Sequence, residues 1–389
     1  MRAIDRRQAL QMMGGASLVA LLAACDTSSF NLSPAASGPA TPPRTFGTGP
    51  VRVAMLLPLS GDASLAQVGI SMANAAQLAM EYAAQNPRIG SNITLTILDT
   101  GASAQGAAQQ ARAAVAAGAA LILGPLRADQ VQAAGAVTRG AGIPLIGFSN
   151  NSSVAAPGIY LLNVLPETEA NRSLGYARDR NRRRFAALLP NSDFGRVQQA
   201  AYQEAIANLH LSSRGAFVFN VESDMQNLVG QVASLVSSGA IDALFLPDRA
   251  TAPAIAGMMQ QAGIARGRLM IIGSADWDTD PTILSTPYLQ GAVYPAVDDS
   301  GYKALAAEYA ARFGGNPHPL ATIAYTAAIL ANAGPLANAH YSSGLLTMPG
   351  GFNGRDGVFR FLPDGRSQYA LIMKQLTAGG AVRVDGPKL

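Results

Sequence analysis

The chain states one pattern twice, and that repetition limits its fold more than any other feature. VRVAMLLP, residues 51–58, is an apolar run closed by proline and followed by Leu59-Ser60-Gly61-Asp62. RFAALLP, residues 184–190, is followed by Asn191-Ser192-Asp193-Phe194-Gly195. After the first copy, Leu65, Val68, Met72, Ala75, Ala79 and Tyr82 recur at three- and four-residue spacing, the mark of one apolar helical face. The middle sections correspond as well. QARAAVAAGAALILGP (110–125) and LVGQVASLVSSGAIDALFLP (228–247) each read helix, glycine, strand, proline. Gly118 and Gly239 suit left-handed helix ends, and the aliphatic runs suit strands buried on both faces. A third pair sets AGIPLIGFS (141–149) against Ala262-Gly263-Ile264 leading to MIIGS (270–274). Strand and helix alternating over short connections predict a parallel sheet covered by helices, and two copies predict two such lobes. Ligands of open parallel sheets sit beyond the carboxyl ends of the strands, where strand order switches. With the lobes face to face, all six loops would line one cleft.

The ends carry a different message. Arg2, Arg6 and Arg7 precede GGASLVALLAAC, an apolar stretch too short to span a bilayer, which ends in Leu22-Ala23-Ala24-Cys25. This is the form of an export signal over residues 1–24. Cys25 is the chain's single cysteine. It has no disulfide partner and cannot build a multi-cysteine metal site, which leaves lipid attachment as its use. The pattern resembles a bacterial lipoprotein signal, which implies diacylation of Cys25. Arg6-Arg7 also loosely resembles a twin-arginine signal. Residues 26–50, DTSSFNLSPAASGPATPPRTFGTGP, have too little apolar content to pack and read, with Cys25, as a tether. As a flexible coil such a segment spans roughly 28 Å. The same lipoprotein resemblance implies that Asp26, directly after the cysteine, slightly favours the inner membrane. The expected place is the periplasmic face of a bacterial membrane.

No catalytic constellation stands out. His210, His318 and His340 are scattered, with no HExxH, no Gly-x-Ser-x-Gly and no GxxxxGKS. Asp276-Trp-Asp278-Thr-Asp280 has the beginnings of a calcium loop, but Pro281 replaces the turn glycine and no glutamate stands twelfth. The expectation is a protein without enzymatic activity, metal or cofactor. The formal charge of +4 falls to +2 without Arg2, Asp5, Arg6 and Arg7, which gives no reason to expect nucleic acid. One basic cluster, Arg178 to Arg184, reads either as a solvated turn or as a contact for anionic membrane or cell-wall polymer.

Taken in order and spacing, VAMLLPLSGD, ILGPLRAD, GIPLIGFSNNSS, LLPNSDFG, LFLPD and IIGSADW make the chain from Val51 onward resemble the type I periplasmic binding proteins, the leucine/isoleucine/valine-binding family. The resemblance implies two lobes closing on a small amino-acid-like ligand for an ABC permease, with crossovers near Asn163, Ala296 and Gly351. Lobe 1 would hold residues 51–163 and 297–350, and lobe 2 residues 164–296 and 351–389. It further implies that the substrate carboxylate is held by the loops at 125–129 and 149–153, so Ser149 and Asn150 are candidates. Arg127 and Asp129 stand where small hydroxyl residues are expected, which argues against a plain branched-chain amino acid. Three readings of Arg127 remain open: a solvated helix start, a cleft cation pairing with a carboxylate, or part of a docking face. Asp276 is the candidate for the ligand ammonium and Ser60 and Asp248 for further cleft contacts, while Phe194 reads either as an aromatic lid or as packing at the start of its helix. Trp277 reads either as core or as a ligand platform. GPL followed by a basic residue, with a later Trp-Asp, also resembles the C-terminal domain of lipoprotein activators of penicillin-binding proteins. That alternative implies a peptidoglycan synthase as partner.

Overall fold

A computed structural model describes residues 41–389. The expected export signal, Cys25 and most of the expected tether lie outside the described residues. The first half contains six strands: β1 (Arg44–Phe46), β2 (Val51–Leu57), β3 (Ile93–Asp99), β4 (Leu121–Leu123), β5 (Leu145–Gly147) and β6 (Ile159–Leu161). They form one sheet in the order β1-β3-β2-β4-β5-β6, parallel except for β1. Helices α1 (Ala63–Gln85), α2 (Ala104–Ala116) and α3 (Ala128–Ala141) connect them. Residues 53–57 of β2 are all buried, as a strand covered on both faces requires.

The second half repeats the plan. It runs α4 (Pro166–Arg178), β7 (Arg184–Pro190), α5 (Asp193–Asn208), β8 (Ser212–Phe219), α6 (Glu222–Ser237), β9 (Ala243–Phe245), α7 (Ala252–Gln261), β10 (Met270–Ile272), the short α8 (Pro281–Ser285) and β11 (Val293–Ala296). Its parallel strands lie in the order β11-β10-β9-β7-β8. Both sheets therefore share one doubly wound order, in which the second strand lies outside the first and the third on its other side. The switch falls between β2 and β4 in one lobe and between β7 and β9 in the other. The expected fold class, two helix-flanked and largely parallel sheets, is the observed one.

The remaining chain ties the halves together. Helices α9 (Ser300–Phe313) and α10 (Ala321–Ala331) return to the first lobe, where α10 packs closely along α1. Alanines 324, 327, 328 and 331 face Met72, Ala76 and Ala79 in one buried cluster, and small side chains let the helix axes approach. Three short strands follow as a separate sheet: β12 (Phe352–Gly354), β13 (Gly357–Phe361) and β14 (Ser367–Tyr369). The chain ends in β15 (Leu371–Thr377) and β16 (Gly380–Lys388), an antiparallel pair added to the second sheet beside β11. Among the described residues no helix is long and apolar enough to cross a membrane.

Two expected boundaries move. The tether does not extend to residue 50, because β1 pairs antiparallel with β3 and the Thr41 amide donates to the Asp99 carboxylate at 3.0 Å. Those backbone bonds compensate for the segment's lack of apolar side chains. The third crossover is not at Gly351. Phe359, Phe361 and Tyr369 join the core of the first lobe with Leu57, Tyr160 and Ile323, so the small sheet packs there. The chain passes to the second sheet only between Tyr369 and Leu371, beside the earlier crossover at Asn163. The Ser367 hydroxyl donates to the Asn163 carbonyl at 2.6 Å, binding the two strands of the hinge.

Candidate functional site

A cavity of about 840 Å³ opens between the lobes, within the range that takes a small ligand. One wall comes from the first lobe. The chain leaves β4 through Gly124, whose φ of +74° and close approach to the Leu56 carbonyl exclude a side chain. Arg127 then takes the N-cap position of α3 with extended backbone and makes no side-chain cap. Its guanidinium turns instead to Asp129, 3.1 Å away, and both side chains are exposed. The first-turn amides of α3 are thus left as donors at the positive end of the helix. Beside them the loop after β5 supplies Ser149, which is buried, and Asn150, which is exposed. The Ser149 hydroxyl accepts from the Asn151 amide at 3.1 Å, which fixes the turn.

The facing wall belongs to the second lobe. After β10, the Ser274 hydroxyl donates to the Pro247 carbonyl at 2.7 Å, locking the loops after β9 and β10 together. The Ala275 amide donates to Glu169 on the first turn of α4 at 3.0 Å. Burial pushes the Glu169 carboxyl up to about 8, against that amide bond and with help from the neighbouring Asp276 and Glu167 charges. Asp276 lines the rim of the cavity, and desolvation raises its pKa although Arg249 draws it down. Trp277 is wholly buried and tilted against Tyr294, so it is core and not a platform. Asp278 is held by Lys374, whose ammonium lies 2.9 Å from both carboxylate oxygens, and by the Tyr294 hydroxyl. Asp280 caps α8 through the Thr282 and Ile283 amides. The hinge side completes the cavity with Thr322 on the first turn of α10, Asp356 in the turn between β12 and β13, and Tyr369. The Thr322 hydroxyl donates to Asp356 at 2.9 Å, and burial pushes that carboxyl up to about 6.

Of the residues singled out in the sequence, Arg127, Ser149, Asn150 and Asp276 line the cavity, and Ser60, Phe194 and Asp248 do not. The last three serve the starts of helices or their own turns. Ser60 lies beside Asp99, whose carboxylate accepts from the Leu59 and Gly101 amides and fixes that turn. Asp248 accepts from the Thr251 hydroxyl at 2.6 Å at the head of α7. Phe194 sits half-buried in the first turn of α5, whose N-cap Ser192 accepts from the Gly195 amide. Glu169, Thr322, Asp356 and Tyr369 were not picked out from sequence, since none lies on a repeated strand-end loop.

The chain matches the sequence profile described as periplasmic binding protein over residues 50–381. It belongs to that family. No curated protein matches the sequence. Among solved structures the family fold recurs at low identity. A Rhodospirillum rubrum protein, provisionally described as a branched-chain amino acid ABC transporter, is 18% identical with a TM-score of 0.72, over 86% of this chain and 99% of that one. A substrate-binding protein of an ABC transporter from Desulfitobacterium hafniense, in complex with leucine, is 15% identical with a TM-score of 0.61, over 86% and 99%. A solute-binding protein from Rhodopseudomonas palustris, in complex with 3,4-dihydroxybenzoic acid, is 17% identical with a TM-score of 0.56, over 87% and 98%. The periplasmic binding protein cleft described above thus has relatives that hold chemically different small molecules. The family places the chain outside the cytoplasm.

Proposed function

We propose that this chain captures a small amino-acid-like ligand between its lobes and presents it to an ABC-type permease, without catalysing a reaction. One observation carries this reading. Donors gathered on the first lobe, the uncapped amides of α3 and Ser149, face the Glu169 carboxyl on the second. An α-amino acid has a carboxylate for the first set and an ammonium for the second, so it bridges the lobes and favours the closed state. Asp276 adds negative potential at the ammonium end. The first 24 residues and Cys25 support export and lipid attachment at the periplasmic face of the membrane, which keeps the protein near a permease.

Titration calorimetry of the purified full chain against the proteinogenic amino acids tests this. Binding of at least one with release of heat, weakened at least tenfold by Glu169→Gln, is expected. If no amino acid binds, and the chain instead recovers a penicillin-binding protein from membranes, the activator reading replaces this one.

A further inference from the structure

The carboxyl groups of the cavity outnumber the cations available to them. Arg127 is engaged with Asp129, and Lys374 is engaged with Asp278. Glu169, Asp276 and Asp356 also line the cavity. Asp276 feels Arg249, whose own ion-pair partner is Asp280 at 4.0 Å. Glu169 and Asp356 make no salt bridge among the described residues. The cation nearest to Asp356 in sequence, Arg355, points elsewhere: it bonds Glu308 at 2.9 Å and lies over the Tyr325 ring at 4.2 Å. Asp356 is therefore an enclosed acid with one hydroxyl partner, opening on the cavity from the hinge side.

An ordinary α-amino acid has one ammonium, and the Glu169 end accounts for it. We propose that the ligand carries a second, side-chain cation, received by Asp356 and Thr322, so that the substrate class is the dibasic amino acids. This inference rests on the reading of the cleft as an amino-acid site and names its substrate. The rest of the lining fits such a molecule. Val164, Val297, Leu320 and Ile323 offer apolar surface in the same cavity, which suits a methylene stem between two charged ends. A neutral aliphatic side chain would leave Asp356 against methyl groups, where a carboxylate is poorly solvated. Glu169 and Asp356 then each face one cation of the ligand, the helix-end amides face its carboxylate, and Asp276 adds its charge at the α-ammonium end.

Calorimetry of the full chain with L-lysine, L-ornithine and L-norleucine at pH 8 separates the possibilities. Norleucine keeps the stem of lysine and lacks the terminal ammonium. Lysine or ornithine should bind about 10- to 100-fold tighter than norleucine, the scale of one charge-assisted hydrogen bond. Asp356→Asn should reduce that ratio to within about threefold, by weakening lysine and by easing norleucine, whose side chain no longer lies against a carboxylate. Thr322→Val should reduce it less. The preference should also shrink at pH 5, where Asp356, facing Thr322 of α10 and Tyr369 of β14, takes up a proton. At that pH Glu169, facing Asp276 and Glu167, is already protonated in the empty cleft. Norleucine binding as tightly as lysine would overturn the dibasic assignment and leave the amino-acid reading intact. A lysine preference that survives Asp356→Asn would overturn the role of Asp356. If no amino acid binds at all, both readings fall together.

Discussion

Each lobe begins with a glycine pressed against the proline that ends its first strand, and a single methyl group tests whether that approach matters. A Cβ on Gly195 of α5 would stand 1.8 Å from the Pro190 carbonyl oxygen, and one on Gly69 of α1 would stand 2.0 Å from the Pro58 oxygen. Alanine is otherwise the better helix residue by about 1 kcal/mol, so two effects of opposite sign compete. The obstructing atom is backbone, which cannot swing away as a side chain does, and the helix would have to move by more than an ångström. Overpacking of this kind costs about 1–3 kcal/mol or more. Moving the first turn of α5 also strains the Ser192 cap on the Gly195 amide, 3.1 Å long, which is worth about 1 kcal/mol. The net expectation for Gly195→Ala is a loss of about 2–3 kcal/mol. Gly230 supplies the control: it lies exposed in the middle of α6, and a Cβ there meets nothing within 4 Å. Gly230→Ala should therefore stabilise by about 0.5–1 kcal/mol. Urea denaturation followed by circular dichroism measures both, with the midpoint falling for one variant and rising for the other. A Gly195→Ala chain as stable as the parent would show that helix propensity outweighs the close approach, and the argument would fail.

Other expectations follow from the same geometry. Arg172, almost wholly buried on α4, donates to the Leu371 and Gly386 carbonyls and to Asp385, so Arg172→Ala should cost about 2–4 kcal/mol in the same denaturation experiment by stranding two carbonyls and leaving Asp385 to Lys388 alone. Trp277→Ala should cost about 3–5 kcal/mol, whereas Trp277→Phe should cost clearly less, because the indole N–H is buried without a partner and its removal leaves nothing unsatisfied. The Glu169 carboxyl, raised from 4.5 in the unfolded chain to about 8, makes the empty protein less stable as pH rises. Below pH 4.5 the group is protonated in both states and adds no difference; between 4.5 and 8 only the unfolded chain ionises freely, and above 8 the loss is complete. Melting temperature without ligand should fall across that window by an amount equivalent to about 1–2 kcal/mol after allowing for water in the cavity. Glu169→Gln should flatten the profile, and an unchanged slope would refute the assignment.

The repeat was legible because buried parallel strands announce themselves as aliphatic runs, and because Pro58, Pro190, Gly118 and Gly239 punctuate both copies at the same places. Two kinds of structure escaped that signal. The strand Arg44–Phe46 is made by the exposed edge of β3, and its own three residues in a Pro/Ser/Gly-rich stretch carry no pattern. The sheet at 352–369 does carry alternating aromatics, but its partner is set by the chain's return through α9 and α10. Phe352, Phe359, Phe361 and Tyr369 pack on one another and on the first lobe, although the segment leads towards the second.

The site was half legible for a chemical reason. A loop leaving a strand's carboxyl end has two uses for Ser, Asp and Asn: satisfying the first amides of the next helix, or facing the cleft. The residue types are the same, so sequence cannot separate them. Asp62 and Ser192 meet the first need, Asp248 closes its own turn on the Thr251 hydroxyl, and Ser149, Asn150 and Asp276 stand where they meet the second. Helix phase decides the remaining case. Two places apart on α4, Glu167 accepts from the Ser152 hydroxyl while Glu169 reaches the Ala275 amide and lines the cavity. Because α4 follows the crossover at Asn163, Glu169 moves with the second lobe, while Arg127 and Ser149 remain with the first. Asp356 is fixed to neither strand-end set. Its turn packs with the first lobe through Thr322, and it approaches the cavity from the side about which the lobes pivot. A ligand held between Glu169 and the α3 amides therefore resists opening, whereas a contact at Asp356 changes little in length as the lobes move. Affinity for the closed state should come mainly from the first pair, and choice among side chains mainly from the hinge-side acid.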